Sequence, residues 1–219
     1  MKLPLILVNF KLYEQATGER ALKLAKIHEK IAEETGASIA IAVNALDLQK
    51  VSESVNLPVF SQHVDPVGFG SYTGRIMPYA VKGLGAYGTL LNHAEYPVEY
   101  ETLRETVERS REAGLFVIVC ADTAEQAEKV ASFNPDLVAV EPPELIGGDI
   151  SVSKAEPEIV ENAVRLVGEN RVLVGAGVKS AEDVKIALSL GAAGVLLASG
   201  ITKAEDPYYA LLDLVSGLK

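Results

Sequence analysis

The sequence predicts an α/β protein folded as one closed (β/α)8 barrel, and three observations carry that prediction. Eight short apolar runs are spread from one end of the chain to the other. Helix-patterned stretches lie between them, and no Ser-rich, Pro-rich or low-complexity linker breaks the alternation. The runs are β-branched and apolar without strict alternation, as expected of strands covered on both faces in a parallel sheet wrapped by helices. Eight strand-helix units in 219 residues are compact for a barrel but sufficient. A doubly wound open sheet is the alternative architecture. In either case residues 1–219 form a single domain.

The first run, residues 5–8, is followed by a helical pattern at 17–35 that stops at Gly36, where a left-handed residue closes a helix. Residues 38–43 and 59–62 are the second and third runs. The fourth, 87–91, leads to a helical pattern at 98–113 with Gly114 behind it. Residues 116–120 precede a helix at 124–132, and 137–140 precede one at 154–166. Residues 172–174 lead to a helix at 180–190 closed by Gly191, and 194–197 lead to the last helix at 206–216.

With 48% hydrophobic and 23% charged residues, the chain is globular rather than disordered. A net charge of −10 excludes nucleic acid and acidic membrane surfaces as expected partners, because both would be repelled. A small anionic metabolite remains admissible where backbone N–H groups or a lysine reverse the field locally. Cys120 is the only cysteine, so no internal disulfide forms and a reducing compartment is expected. The apolar start is short and has no A-x-A cleavage site, and no run reaches membrane-spanning length. These features predict a cytoplasmic protein.

In a barrel the chemistry sits at the C-terminal ends of the strands. Val138-Ala-Val-Glu141-Pro142-Pro143-Glu144-Leu145-Ile146-Gly147-Gly148 places a carboxylate at such an end. Two prolines stiffen the chain directly after it and two glycines relax it, so residues 142–148 are expected to swing as a lid over a proton-abstracting base. Asn9 and Lys11, two positions apart, would point an amide and an ammonium from one strand face into the barrel mouth, where such donors hold an oxyanion. His93 follows the fourth run. A helix after it would aim its positive end at the imidazole and keep it neutral. His28 falls mid-helix among charges, and His63, beside Asp65, lacks further ligands; no metal is expected. Gly175-Ala176-Gly177 and Ser199-Gly200 follow the seventh and eighth runs, where barrels bind phosphate through backbone N–H groups.

Asn9-Phe10-Lys11, Leu91-Asn92-His93, Glu141-Pro142-Pro143-Glu144-Leu145-Ile146-Gly147 and Ala198-Ser199-Gly200, in this order, resemble the triosephosphate isomerases, most nearly their short archaeal type. The likeness spans essentially the whole chain. It includes Gly70-Ser71-Tyr72-Thr73-Gly74, which is similar to the family's subunit-contact loop. The resemblance implies an aldose-ketose isomerase of glycolysis and gluconeogenesis that interconverts dihydroxyacetone phosphate and D-glyceraldehyde 3-phosphate through an enediolate. It implies Glu141 as base, His93 as electrophile, and Asn9 with Lys11 as the substrate-orienting pair. Backbone at Ile146, Gly147, Gly177, Ala198 and Ser199 would hold the phosphate. No cofactor or metal is implied, and a homo-oligomer, dimer or tetramer, is. Ala94, Tyr96 and Pro97 stand where the family has a serine and basic residues, which bears on the loop's resting geometry rather than on the chemistry. The competing functional readings are another sugar-phosphate barrel enzyme and a catalytically impaired barrel that binds a phosphorylated metabolite.

Overall fold

A computed structural model describes residues 1–146 and 151–218. Eight parallel strands close on themselves in sequence order: β1 (Leu5–Asn9), β2 (Ser38–Val43), β3 (Val59–Ser61), β4 (Gly88–Leu91), β5 (Phe116–Ala121), β6 (Leu137–Val140), β7 (Val172–Val174) and β8 (Gly194–Leu197). Leu5 pairs with Ser38 on one side and with Gly194 on the other, which closes the barrel. The closure needs a glycine: a Cβ at Gly194 would stand 2.0 Å from the Leu5 carbonyl oxygen.

Successive side chains of a strand face opposite ways, and here both ways are apolar. Leu5 and Leu7 join Ala40, Ala42, Phe60, Leu90 and Ile118 in one buried cluster, while Ile6 and Val8 join Ile39, Ile41 and the helices in another. Two apolar faces explain why the sequence shows continuous runs instead of alternation.

The helices Glu19–Thr35, Tyr100–Glu112, Ala124–Ala131, Ala181–Ser189 and Pro207–Ser216 lie within the predicted stretches. Gly36, Gly114 and Gly191 adopt φ of 69°, 75° and 90°, as helix-closing residues do. The single helix expected at 154–166 is instead two, Val152–Ala155 and Pro157–Val167. Glu156 is the break, at φ −142° and ψ 63°, because the residue before a proline is sterically disfavoured in the α region. Two further helices, Leu48–Ser52 and Pro78–Gly83, follow β2 and β3; they are too short to show a helical period in the sequence.

Candidate active site

Strand β1 ends at Asn9, and Lys11 lies beyond it with φ 49°. The pair therefore does not share a strand face as the sequence spacing suggested. Lys11 is carried into the barrel mouth by a left-handed turn, at a cost on the order of 1 kcal/mol for a residue with a Cβ. The turn is held by the Asn9 side chain, whose Oδ1 accepts from the Lys11 N–H at 3.0 Å. Gln62 braces the same turn, donating from Nε2 to Asn9 Oδ1 at 3.1 Å and to the Lys11 carbonyl at 3.1 Å. The Lys11 ammonium donates to Glu95 Oε1 at 2.6 Å.

His93 follows β4 after Asn92, itself left-handed at φ 59°. The Asn92 side chain spans its surroundings, donating to the Cys120 carbonyl and accepting from the Val98 N–H. The Glu95 N–H donates to His93 Nδ1 at 3.1 Å, so in the neutral ring the proton sits on Nε2. Burial depresses the imidazole pKa most, the Lys11 ammonium depresses it further, and Glu95 opposes both. The helix expected at 98–113 begins at Tyr100, capped by Glu99. Burial and Lys11 both favour the neutral ring.

Glu141 follows β6, with its N–H bonded to the Ala121 carbonyl and its side chain almost wholly buried. Burial pushes its pKa up to about 7 against the opposing pull of Lys11. Its Oε2 has no hydrogen-bond partner among the described residues and lies 3.7 Å from His93 Nε2. Pro142 and Pro143 lead into a single tight turn, Pro143–Leu145. Gly147 and Gly148, and with them the flexible half of the expected lid, fall outside the described residues.

The turns expected to bind phosphate are shaped by backbone. Ala176 and Gly177 adopt successive left-handed φ values of 67° and 69°. Ser199 opens the helical turn Ser199–Thr202 after Ala198, so its N–H has no intrahelical acceptor. One cleft is lined by Asn9, Lys11, His93, Glu141, Ile146, Gly177, Ala198 and Ser199 together. The three ionisable side chains that stand 82 and 48 positions apart in sequence (11 to 93, 93 to 141) thus face a common space.

Sequence reasoning missed Gln62, which closes the third apolar run, and anticipated Gly175 only as part of a glycine turn, whereas its missing side chain makes room for Glu141. His28 lies mid-helix as expected, and its side chain is fully buried. The His28 ring packs 5.4 Å from that of Phe10, and its Nδ1 faces the Leu24 carbonyl at 2.7 Å. His63 stands 3.6 Å from Asp65 and edge-on to Tyr96. Asp65 in turn accepts from Arg75 at 2.8 Å.

The family model described as triosephosphate isomerase matches residues 4–217. The chain belongs to the triosephosphate isomerase family. It is 48% identical over 217 residues to the triosephosphate isomerase of Methanobacterium bryantii, covering 97% of this chain and 96% of that one. To the triosephosphate isomerase of Archaeoglobus fulgidus it is 49% identical over 218 residues, covering 98% of each. The crystal structure of triosephosphate isomerase from Bartonella henselae shares the fold at a TM-score of 0.72 and 18% identity, covering 99% of this chain and 98% of that one. Triosephosphate isomerase is itself the standard illustration of a carboxylate base beside a neutral imidazole.

Proposed function

We propose that the protein interconverts dihydroxyacetone phosphate and D-glyceraldehyde 3-phosphate by proton transfer through an enediolate, as a step of glycolysis and gluconeogenesis. One observation carries the assignment of roles: a buried, partnerless carboxylate oxygen of Glu141 faces His93 Nε2 across 3.7 Å, in the cleft that Lys11 also lines. Glu141 takes a proton from one carbon of the triose and returns it to its neighbour. A buried carboxylate with a raised pKa is a better base for this than a solvated one, since the carbon acid is weak. His93 donates its Nε2–H to the carbonyl oxygen and the Lys11 ammonium offsets the charge that develops there. Removing one such donor typically costs about 3 kcal/mol of barrier.

Asn9 keeps Lys11 in its left-handed turn, and backbone at Ile146, Gly177, Ala198 and Ser199 receives the phosphate. Gly147 belongs to the same set by resemblance. Residues 142–148 act as a lid, because an enediolate phosphate open to water expels its phosphate group. The experiment is Glu141→Gln, assayed with a coupled enzyme in both directions. Turnover is expected to drop by several orders of magnitude with an unchanged circular dichroism spectrum. Turnover like that of the parent would remove Glu141 from the role of base.

We further infer a homo-oligomer, dimer or tetramer, working in the cytoplasm. Leu12, Leu46 and Phe69 are 77%, 95% and 85% exposed, more than a lone subunit favours for large apolar side chains. Leu12 lines a groove of about 720 Å³ that opens beside Lys11 and includes Tyr96, Thr73 and Gly74. Light scattering at assay concentration tests this, and a monomer would overturn it.

A further inference from the structure

The Asp183 carboxylate is 5% exposed and gathers donors from two separate loops. Its Oδ2 accepts from the Lys179 N–H at 3.0 Å, the Ser180 N–H at 2.9 Å and the Ser180 hydroxyl at 2.8 Å, all in the loop after β7. Its Oδ1 accepts from the Ser151 hydroxyl at 2.9 Å and the Lys154 ammonium at 2.8 Å, both in the segment that returns after β6. A helix cap needs only the bonds to the first loop. The second oxygen, turned to a different part of the chain, is not explained by capping. A further bond, from the Val152 N–H to the Ala176 carbonyl at 3.3 Å, ties the same two segments together.

The loop so held includes Ala176, Gly177, Val178 and Lys179, which line the same cleft as Glu141. Backbone N–H groups bind an anion well only if they are aimed before it arrives, because reorienting them costs the interaction. Two successive left-handed residues are an improbable shape for a short loop to keep unaided. A carboxylate near a phosphate would repel it, yet here the charge is matched by Lys154.

We propose that Asp183 is a positioning residue for the substrate's phosphate group: it sets the 176–180 loop from beneath and, through Ser151 and Lys154, fixes it to the segment after β6. The proposal rests on the isomerase reading above. It deepens that reading by naming what holds the anion-binding backbone in shape. The low pKa of Asp183, about 2, accords with a carboxylate that stays ionised throughout; burial opposes the lowering, and Lys154 leads the contacts that produce it.

The test is Asp183→Asn in the full-length protein, an exchange that keeps size and leaves one accepting oxygen. Three quantities are measured: kcat/KM for D-glyceraldehyde 3-phosphate, kcat/KM for unphosphorylated D-glyceraldehyde, and the inhibition constant of inorganic phosphate. The expected result is at least a tenfold fall for the phosphorylated substrate, no change for glyceraldehyde, and weaker phosphate inhibition by a similar factor. Equal losses on both substrates, or no loss on either, would overturn the proposal. If the variant does not fold, Ser151→Ala combined with Lys154→Met removes only the bonds to Oδ1 and is read by the same comparison. A parent protein without isomerase activity would instead refute the isomerase reading, and calorimetric binding of inorganic phosphate to parent and variant would still decide the role of Asp183.

Discussion

The Glu141 carboxylate occupies the space left by the side chain that Gly175 lacks. A Cβ on Gly175 would stand 2.1 Å from Glu141 Cγ and 2.4 Å from its Oε1. The proposed base is thus located by a residue on the neighbouring strand's exit as much as by its own backbone, since the Gly175 N–H is bonded to the Val140 carbonyl just before it. Gly175→Ala is expected to push Glu141 off its position while leaving the barrel folded. A displacement near 1 Å at the reacting group costs roughly a hundredfold in rate. Steady-state kinetics would show this as a fall in kcat with an unchanged melting curve, and a kcat within twofold of the parent would mean that Glu141 works from elsewhere.

The pH dependence of kcat/KM follows from the same burial. Only the ionised carboxylate can accept a proton, and its pKa stands at about 7. Activity of the free enzyme should therefore fall about tenfold per pH unit below 7. Burial and the Lys11 ammonium lower the His93 pKa, which favours its neutral, donating form. An inflection in the ordinary carboxylate range would indicate that the free enzyme keeps Glu141 in water. The stability sign is the reverse: a carboxyl with a raised pKa favours the folded state at low pH, and that contribution is lost as pH rises through about 7. Glu141→Gln removes the penalty, so it should be more stable than the parent at pH 8 by roughly 3 kcal/mol and no more stable at pH 4.5. Thermal melts at the two pH values check this.

His28 sets a second window. Burial lowers its pKa to about 4 from 6.5, with the Leu24 carbonyl opposing. The unfolded chain takes up this proton first, so stability falls as pH drops from 6.5 toward 4, by roughly 3 kcal/mol for this group. His28→Leu should flatten that slope. Urea unfolding of the two proteins at pH 7.5 and 4.5 is the measurement, and parallel losses in both would exclude His28 as the cause.

Lys11 has two functions that one substitution separates. Lys11→Met removes the donor at the developing oxyanion, for which a loss of about a hundred- to a thousandfold in kcat/KM is expected. It also removes the charge that helps depress the His93 pKa. An upward move of that pKa, followed by NMR of the imidazole, should accompany the kinetic loss. A loss of rate with an unmoved His93 would mean that burial alone keeps the ring neutral.

Much of this was legible in the residues. Eight apolar runs marked the eight strands to within one or two positions, because a strand buried on both faces must be apolar at every position. The groups at their ends, Asn9, Lys11, His93, Glu141, Gly177 and Ser199, were visible because each lies within three positions of the end of an apolar run. The helices of five and six residues after β2 and β3 were not legible, and neither was the break before Pro157 within a helical pattern.

By itself the sequence determined the barrel and the family, since strand burial, turn residues and motif order are local patterns. Tertiary structure alone decided how those groups act. The neutrality of His93, the raised pKa of Glu141, the space at Gly175 and the five donors on Asp183 all arise between residues distant in the chain. Desolvation and close approach depend on which groups share a space, and chain order does not encode them.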